Sequence, residues 1–171
     1  MTSPFLVLAW LPLLQARPAG PPVQSLSVGG YRIVLAATPL ARAARRLGGR
    51  VDGPRACFVT REGRVRLTLE SSGADGTVTG FAIAAADSAA DAPCSRLRVR
   101  WRAVATGDGL KLGRLRADVT SLLGGSGRDS AGVAVYDFRG TRGPAAMTGG
   151  LRVTFRGDTV SALRGSLRAA P

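Results

Sequence analysis

Hydrophobic side chains recur along this chain in two different periods. The run Thr38-Pro-Leu-Ala-Arg-Ala-Ala-Arg-Arg-Leu-Gly-Gly49 sets Leu40, Ala44 and Leu47 at i, i+4 and i+7. That spacing puts them on one helical stripe. Thr38 suits the N-cap, Pro39 the first helical position, and Gly48 the left-handed stop. A second stripe, Leu115, Val119 and Leu122, predicts a helix over 114–123 that ends at Gly124-Gly125. The two Leu-Gly-Gly stops, at Leu47 and Leu123, stand 76 residues apart.

Shorter, alternating patterns follow each helix. After the first come 56–60 (ACFVT), 64–70 (RVRLTLE) and 77–84 (TVTGFAIA); after the second come 132–138 (GVAVYDF), 151–155 (LRVTF) and 159–167 (TVSALRGSL). Each trio holds an irregular strand, an alternating strand, and a strand that opens Thr-Val-Thr or Thr-Val-Ser. Val65, Leu67 and Leu69 share one side of their strand, as do Leu151, Val153 and Phe155. The loop before the alternating strand is about ten residues longer in the second set, by the same reading of the pattern. Helix–strand–strand–strand, twice, predicts an α+β fold: two tandem helix–three-strand repeats forming a curved antiparallel sheet with helices on one face.

Between the two sets, 96–104 (RLRVRWRAV) alternates strictly. Leu97, Val99, Trp101 and Ala103 point one way; Arg96, Arg98, Arg100 and Arg102 point the other. The pattern predicts a half-buried connecting strand whose wet face is a row of guanidinium groups. Like charges at alternate positions repel mildly unless an anion or acidic side chains answer them. The domain layout that follows is a signal peptide over 1–19, a first repeat over 20–93, the connecting strand over 94–106 and a second repeat over 107–171.

The stretch Gly109-Leu-Lys-Leu-Gly-Arg-Leu-Arg-Ala-Asp-Val-Thr-Ser-Leu-Leu-Gly124 resembles a motif of small exported bacterial proteins: Leu-Gly-x-Ser/Thr, a helix with Glu/Asp-Val, then Leu-Leu-Gly. Leu151-Arg-Val-Thr-Phe-Arg-Gly-Asp-Thr-Val160 is similar to their closing hairpin. These proteins share the helix-plus-sheet fold of β-lactamase inhibitory protein and of the small lipoprotein of the outer-membrane β-barrel assembly machinery. The resemblance covers 107–167 and reaches 31–84 only through the internal repeat. It departs at Leu115, where the motif wants Ser or Thr, at Ser126, where Pro is common, and in lacking a lipobox cysteine. It implies a fold and a habit of protein binding. A β-lactamase target does not carry over, because the aromatic-rich binding face of the inhibitory protein has no counterpart in a chain with 5% aromatic residues.

The N-terminus is read as an export signal. Pro4–Ala16 (PFLVLAWLPLLQA) is uncharged and apolar and ends abruptly at Arg17-Pro18. It is short for a membrane span and twice interrupted by proline, and Ala16 or Ala19 suits a signal peptidase. Only the α-amino group supplies positive charge ahead of it. Later apolar stretches are too short and too broken by Arg to cross a membrane, so a free exported protein, periplasmic or extracellular, is expected. Cys57 and Cys94 would pair in such a compartment; two buried reduced thiols are the alternative.

Composition changes this picture in two places. Histidine is absent, which removes the usual general base, proton shuttle and metal ligand together. Ser121, Ser126 and Ser130 therefore have no activating partner, Asp87 and Asp91 read as a solvated loop, and Arg156-Gly157-Asp158 reads as a turn. Gly124-Gly-Ser-Gly127 follows a helix and so is no phosphate cradle. No catalytic residue, cofactor or metal site is expected. The net charge of +13 rests on 24 basic residues of which only Lys111 is lysine; it is either the composition of a GC-rich genome or selected basicity. It is uneven: 20–93 holds nine Arg against six acids, whereas 94–171 holds fourteen basic residues against five acids. Arg96, Arg98, Arg100 and Arg102 are the candidate partner-binding residues. An acidic protein surface or an anionic envelope polymer would answer them, as would acids on a neighbouring strand, and a solvated face with no dedicated partner is the alternative; nucleic acid is disfavoured, since no exposed aromatics are interleaved. Protein binding, an envelope assembly accessory and polymer binding are the functions in play.

Overall fold

Ser25-Leu-Ser-Val-Gly-Gly-Tyr-Arg-Ile-Val34 folds back on itself at Gly29-Gly30, where both glycines take positive φ, 58° and 86°. A two-residue hairpin turn demands that backbone. The strands it joins, β1 (Ser25–Val28) and β2 (Tyr31–Val34), pair antiparallel. This hairpin carries no element in the sequence-based scheme. The computed structural model describes residues 23–71, 76–87, 93–125 and 127–170; the expected signal peptide over 1–19, together with Asp91 and Ser126, lies outside them.

Pro39 stands just ahead of α1 (Leu40–Arg46). The predicted cap is not used: the Thr38 hydroxyl accepts the Val34 N–H, and no side chain caps the helix. Leu40, Ala43 and Ala44 are buried. The chain leaves the helix through Leu47 and a left-handed Gly48, φ 77°. Three antiparallel strands follow: β3 (Arg55–Val59), β4 (Val65–Ser71) and β5 (Val78–Ala85). Val65, Leu67 and Leu69 are buried in β4, as their alternation requires.

The predicted connecting strand over 94–106 is not one continuous strand. Only Ser95–Arg96 (β6) pairs with β3, in parallel. The Leu97 N–H then donates to the Val59 carbonyl, the Arg61 N–H to the Val99 carbonyl, and the Trp101 N–H to Glu62 Oε2. These bonds bend the chain into a 3-10 turn at Trp101–Ala103, after which β7 (Val104–Thr106) joins β1 in another sheet. The inside–outside sense survives without the strand: Leu97 is buried, and Arg96, Arg98, Arg100 and Arg102 are exposed.

The second helix, α2 (Arg116–Leu123), also corrects the expected stripe. Val119 is fully buried, but Leu115 is 53% and Leu122 41% exposed. Leu115 sits in extended backbone before the helix, bridged to Thr159. Starting two residues later, at Arg116, the helix turns Val119 and Leu123 inward at i and i+4; Leu123 packs on the core. Gly124 ends it in the left-handed region, φ 72°. Then come β8 (Arg128–Ser130), β9 (Val133–Arg142), β10 (Ala145–Arg156) and β11 (Thr159–Ala169). The residues expected as a long loop instead extend β9 and β10 into a hairpin that turns at Gly143-Pro144.

The architecture is α+β, mostly strand. One sheet has the order β6-β3-β4-β5-β11-β10-β9-β8 and the other β2-β1-β7. Inward side chains of both sheets and both helices join one hydrophobic cluster, including Leu26, Ala43, Phe58, Phe81, Val119 and Leu163. Cys57 on β3 and Cys94, just before β6, form a disulfide with their Cα atoms 4.8 Å apart. It bears out the expected pairing and is consistent with an oxidising compartment. Among the described residues no helix is long and apolar enough to cross a membrane.

Candidate functional site: an arginine-rimmed cleft

Two close approaches set the shape of the site. A Cβ on Gly29 would lie 2.3 Å from Val99 Cγ1, and one on Gly49 would lie 2.3 Å from the Phe58 ring and 2.9 Å from Ser95. Only glycine lets the β1–β2 turn and the segment after α1 come this close to residues 95–99. Between those two contacts a concavity of about 480 Å³ remains. Its floor and walls include Val28, Tyr31, Leu47, Leu97 and Val99, and its rim carries Arg45, Arg46, Arg96 and Arg98.

The predicted row is therefore divided. Arg96 and Arg98 line the cleft. Arg100 and Arg102 do not; they flank the 3-10 turn, and the Arg102 guanidinium lies 5.4 Å from the centre of the Trp101 ring. That stacking uses the ring quadrupole and contributes about 0.5–1 kcal/mol at an exposed site. In exchange the cleft gains Arg45 and Arg46 from the last turn of α1. Their charges complement the carbonyl end of the helix. Neither is among the residues that the alternation of the chain singles out. The only local signal was two adjacent arginines at the helix end, and nothing linear places them beside Arg96 and Arg98.

None of Arg45, Arg46, Arg96, Arg98 and Arg100 has an ion pair among the described residues, and Arg102 has only its ring contact. Glu62, the acid nearest in sequence to this segment's contacts, is bound by the Trp101 N–H. Such a surface can attract a carboxylate or phosphate by charge-assisted, forked hydrogen bonds, while the apolar floor takes a methyl or methylene group from the same ligand.

The other sequence features carry little chemistry. Arg156-Gly157-Asp158 is the turn between β10 and β11, with Gly157 at φ 59° and the Asp158 carboxylate 3.8 Å from Arg116 Nε. Among the described residues no three potential ligand side chains cluster where a metal ion could be held. No family model, curated protein or solved structure matches the chain.

Proposed function

We propose that this chain is an exported, non-enzymatic protein-binding domain that engages an acidic partner surface through the cleft rimmed by Arg45, Arg46, Arg96 and Arg98. The observation that carries this is four guanidinium groups with no carboxylate among the described residues, gathered around an apolar floor. Unanswered like charges held together cost free energy, which a bound acidic group recovers. Arg100 and Arg102 extend the positive field beyond the cleft and steer approach. The disulfide supports export, and the absence of histidine supports a role without acid–base catalysis.

Within this reading the helix-plus-three-strand units are copies of one repeat in a single curved sheet, related to the small exported bacterial proteins resembled above. Their shared element order supports it, as do the left-handed Gly48 and Gly124 at matching helix ends and the antiparallel pairing of β5 with β11 that joins the units.

Affinity capture from an envelope fraction tests the function. The immobilised domain should retain a saturable acidic protein, and Arg96→Ser/Arg98→Ser should lose it. Retention of a polysaccharide or teichoic-type polyanion, with steep salt dependence and no saturable protein, would replace this reading with polymer binding. Retention untouched by the double change would remove the cleft from the account.

A further inference from the structure

Among the described residues, one edge of the large sheet is left half uncovered. β8 runs beside β9 only at Val133, Ala134 and Val135, while β9 continues to Arg142. The Gly132 carbonyl accepts the Phe155 N–H, so even-numbered positions of β9 turn their backbone groups toward β10. Pairing alternates along an antiparallel strand. Odd-numbered positions therefore face away: Val133 and Val135 toward β8, then Asp137, Arg139 and Thr141 toward no strand among the described residues. Three amides and three carbonyls stand in a row with β geometry already imposed, which is a template for another strand.

The charges decide what that strand can be. A second copy of this chain fits poorly. Pairing Asp137 with Arg139 of a second copy would bring Thr141 opposite Val135, whose edge Arg128 already occupies. Shifting to the next register sets Arg139 directly opposite Arg139 of the second copy, a like-charge pair that destabilises the ladder. One step further leaves a short pairing across facing Gly140 residues, with little side-chain contact. On the same sheet face Arg168 lies two strands in from Arg139, each opposite Thr148, and both are exposed without an ion pair among the described residues. Asp137, by contrast, is neutralised by Arg128.

We infer that the outer edge of β9 from Asp137 to Thr141 is a strand-addition site for an extended segment of a partner protein that carries an acidic residue opposite Arg139. Backbone pairing supplies the contact and the alternate side chains supply the choice of partner. The residues flanking the acid point to the face of Phe138 and Gly140, so small β-branched side chains suit them. Arg139 has two effects here: it repels a second copy and selects an acid. This surface is separate from the cleft and its residues are not shared.

The probe is a capped peptide, acetyl-Thr-Val-Glu-Val-Thr-amide, added at millimolar concentration to 15N-labelled protein. Amide exchange at Asp137, Arg139 and Thr141 should slow about tenfold, while amides on β3 and β4 stay unchanged. The Glu→Lys peptide should leave the three amides as they were. Arg139→Glu, an exposed change, should reverse the preference between the two peptides. Arg96→Ser/Arg98→Ser protein should respond as the parent does, which separates failure here from failure of the cleft. Three amides already slow in the peptide-free protein, or equal response to both peptides, or none, would overturn the proposal.

Discussion

Around α2 and the β8 edge, arginines stand against carboxylates. Arg116 pairs with Asp129 and approaches Asp158, Arg114 pairs with Asp118, and Arg128 pairs with Asp137. Arg116 also lies over the Phe155 ring, 3.9 Å from its centre. Four strands in from Asp137 on the same sheet, Arg55 and Arg164 share Glu70. Around the cleft the same residue type has no such company among the described residues. A purely compositional excess of arginine would leave unpaired side chains spread over the surface. Unpaired arginines do stand elsewhere among the described residues, Arg139 and Arg168 among them, but Arg45, Arg46, Arg96, Arg98 and Arg100 gather at the junction of α1, the β1–β2 turn and the segment from Arg96 to Arg102. The difference separates arginines that serve the fold from arginines available to a partner.

The hardest test of that comparison removes the tie that holds the cleft's second wall. Cys57→Ser/Cys94→Ser opens the 37-residue link and should lower stability by about 3–4 kcal/mol in chemical denaturation. A smaller loss, with the cleft intact, would mean that the hydrogen bonds from Leu97 and Arg61 suffice. Gly49→Ala comes next. Its Cβ would press on the fully buried Phe58. About 1–3 kcal/mol should be lost, read from the same denaturation curves.

Substitutions of the two kinds of arginine should then diverge. Arg116→Ala removes two carboxylate contacts and a ring contact and should cost about 1 kcal/mol, since partly exposed pairs contribute little each. Arg96→Ser/Arg98→Ser should leave the melting midpoint within the scatter of ordinary surface changes, about 0.5 kcal/mol. Equal losses in both would erase the distinction. The smallest effect concerns Tyr136, whose phenol is pushed above its ordinary range by burial first and by the Asp129 charge second. A raised folded-state value means that its contribution is present below the unfolded value of 10.0 and lost as pH rises through the folded one. Tyr136→Phe should flatten the alkaline arm of a stability–pH curve.

Local patterns made much of the fold legible. Alternation placed β4 and the core half of β10, and the Leu-Gly-Gly stops located both helix ends, because those signals depend on neighbours within one turn or two strand positions. What failed depended on distant partners. Residues 96–104 alternate as a strand does, yet Val59, Arg61 and Glu62 capture their backbone and turn the chain into another sheet. Leu115 looked like a helix position until its bridge to Thr159 moved the helix start. The β9–β10 extension lacked an apolar stripe because Gly140 and Gly149 stand at inward positions where one would show. The Gly29-Gly30 hairpin carries a local signal of its own, two short runs about a Gly-Gly turn. At the site, Arg96 and Arg98 could be picked out by alternation alone. Arg45 and Arg46 could not, since only the packing of Gly29 and Gly49 brings them alongside.

The most direct measurement follows arginine Nε–Hε resonances while acetyl-Asp-Leu-Glu-Leu-Asp-amide is titrated into the labelled protein. The four signals of Arg45, Arg46, Arg96 and Arg98 should shift first and saturate together, while those of Arg114, Arg116 and Arg128 stay in place. A uniform, unsaturating drift of all arginine signals with peptide concentration would contradict the account.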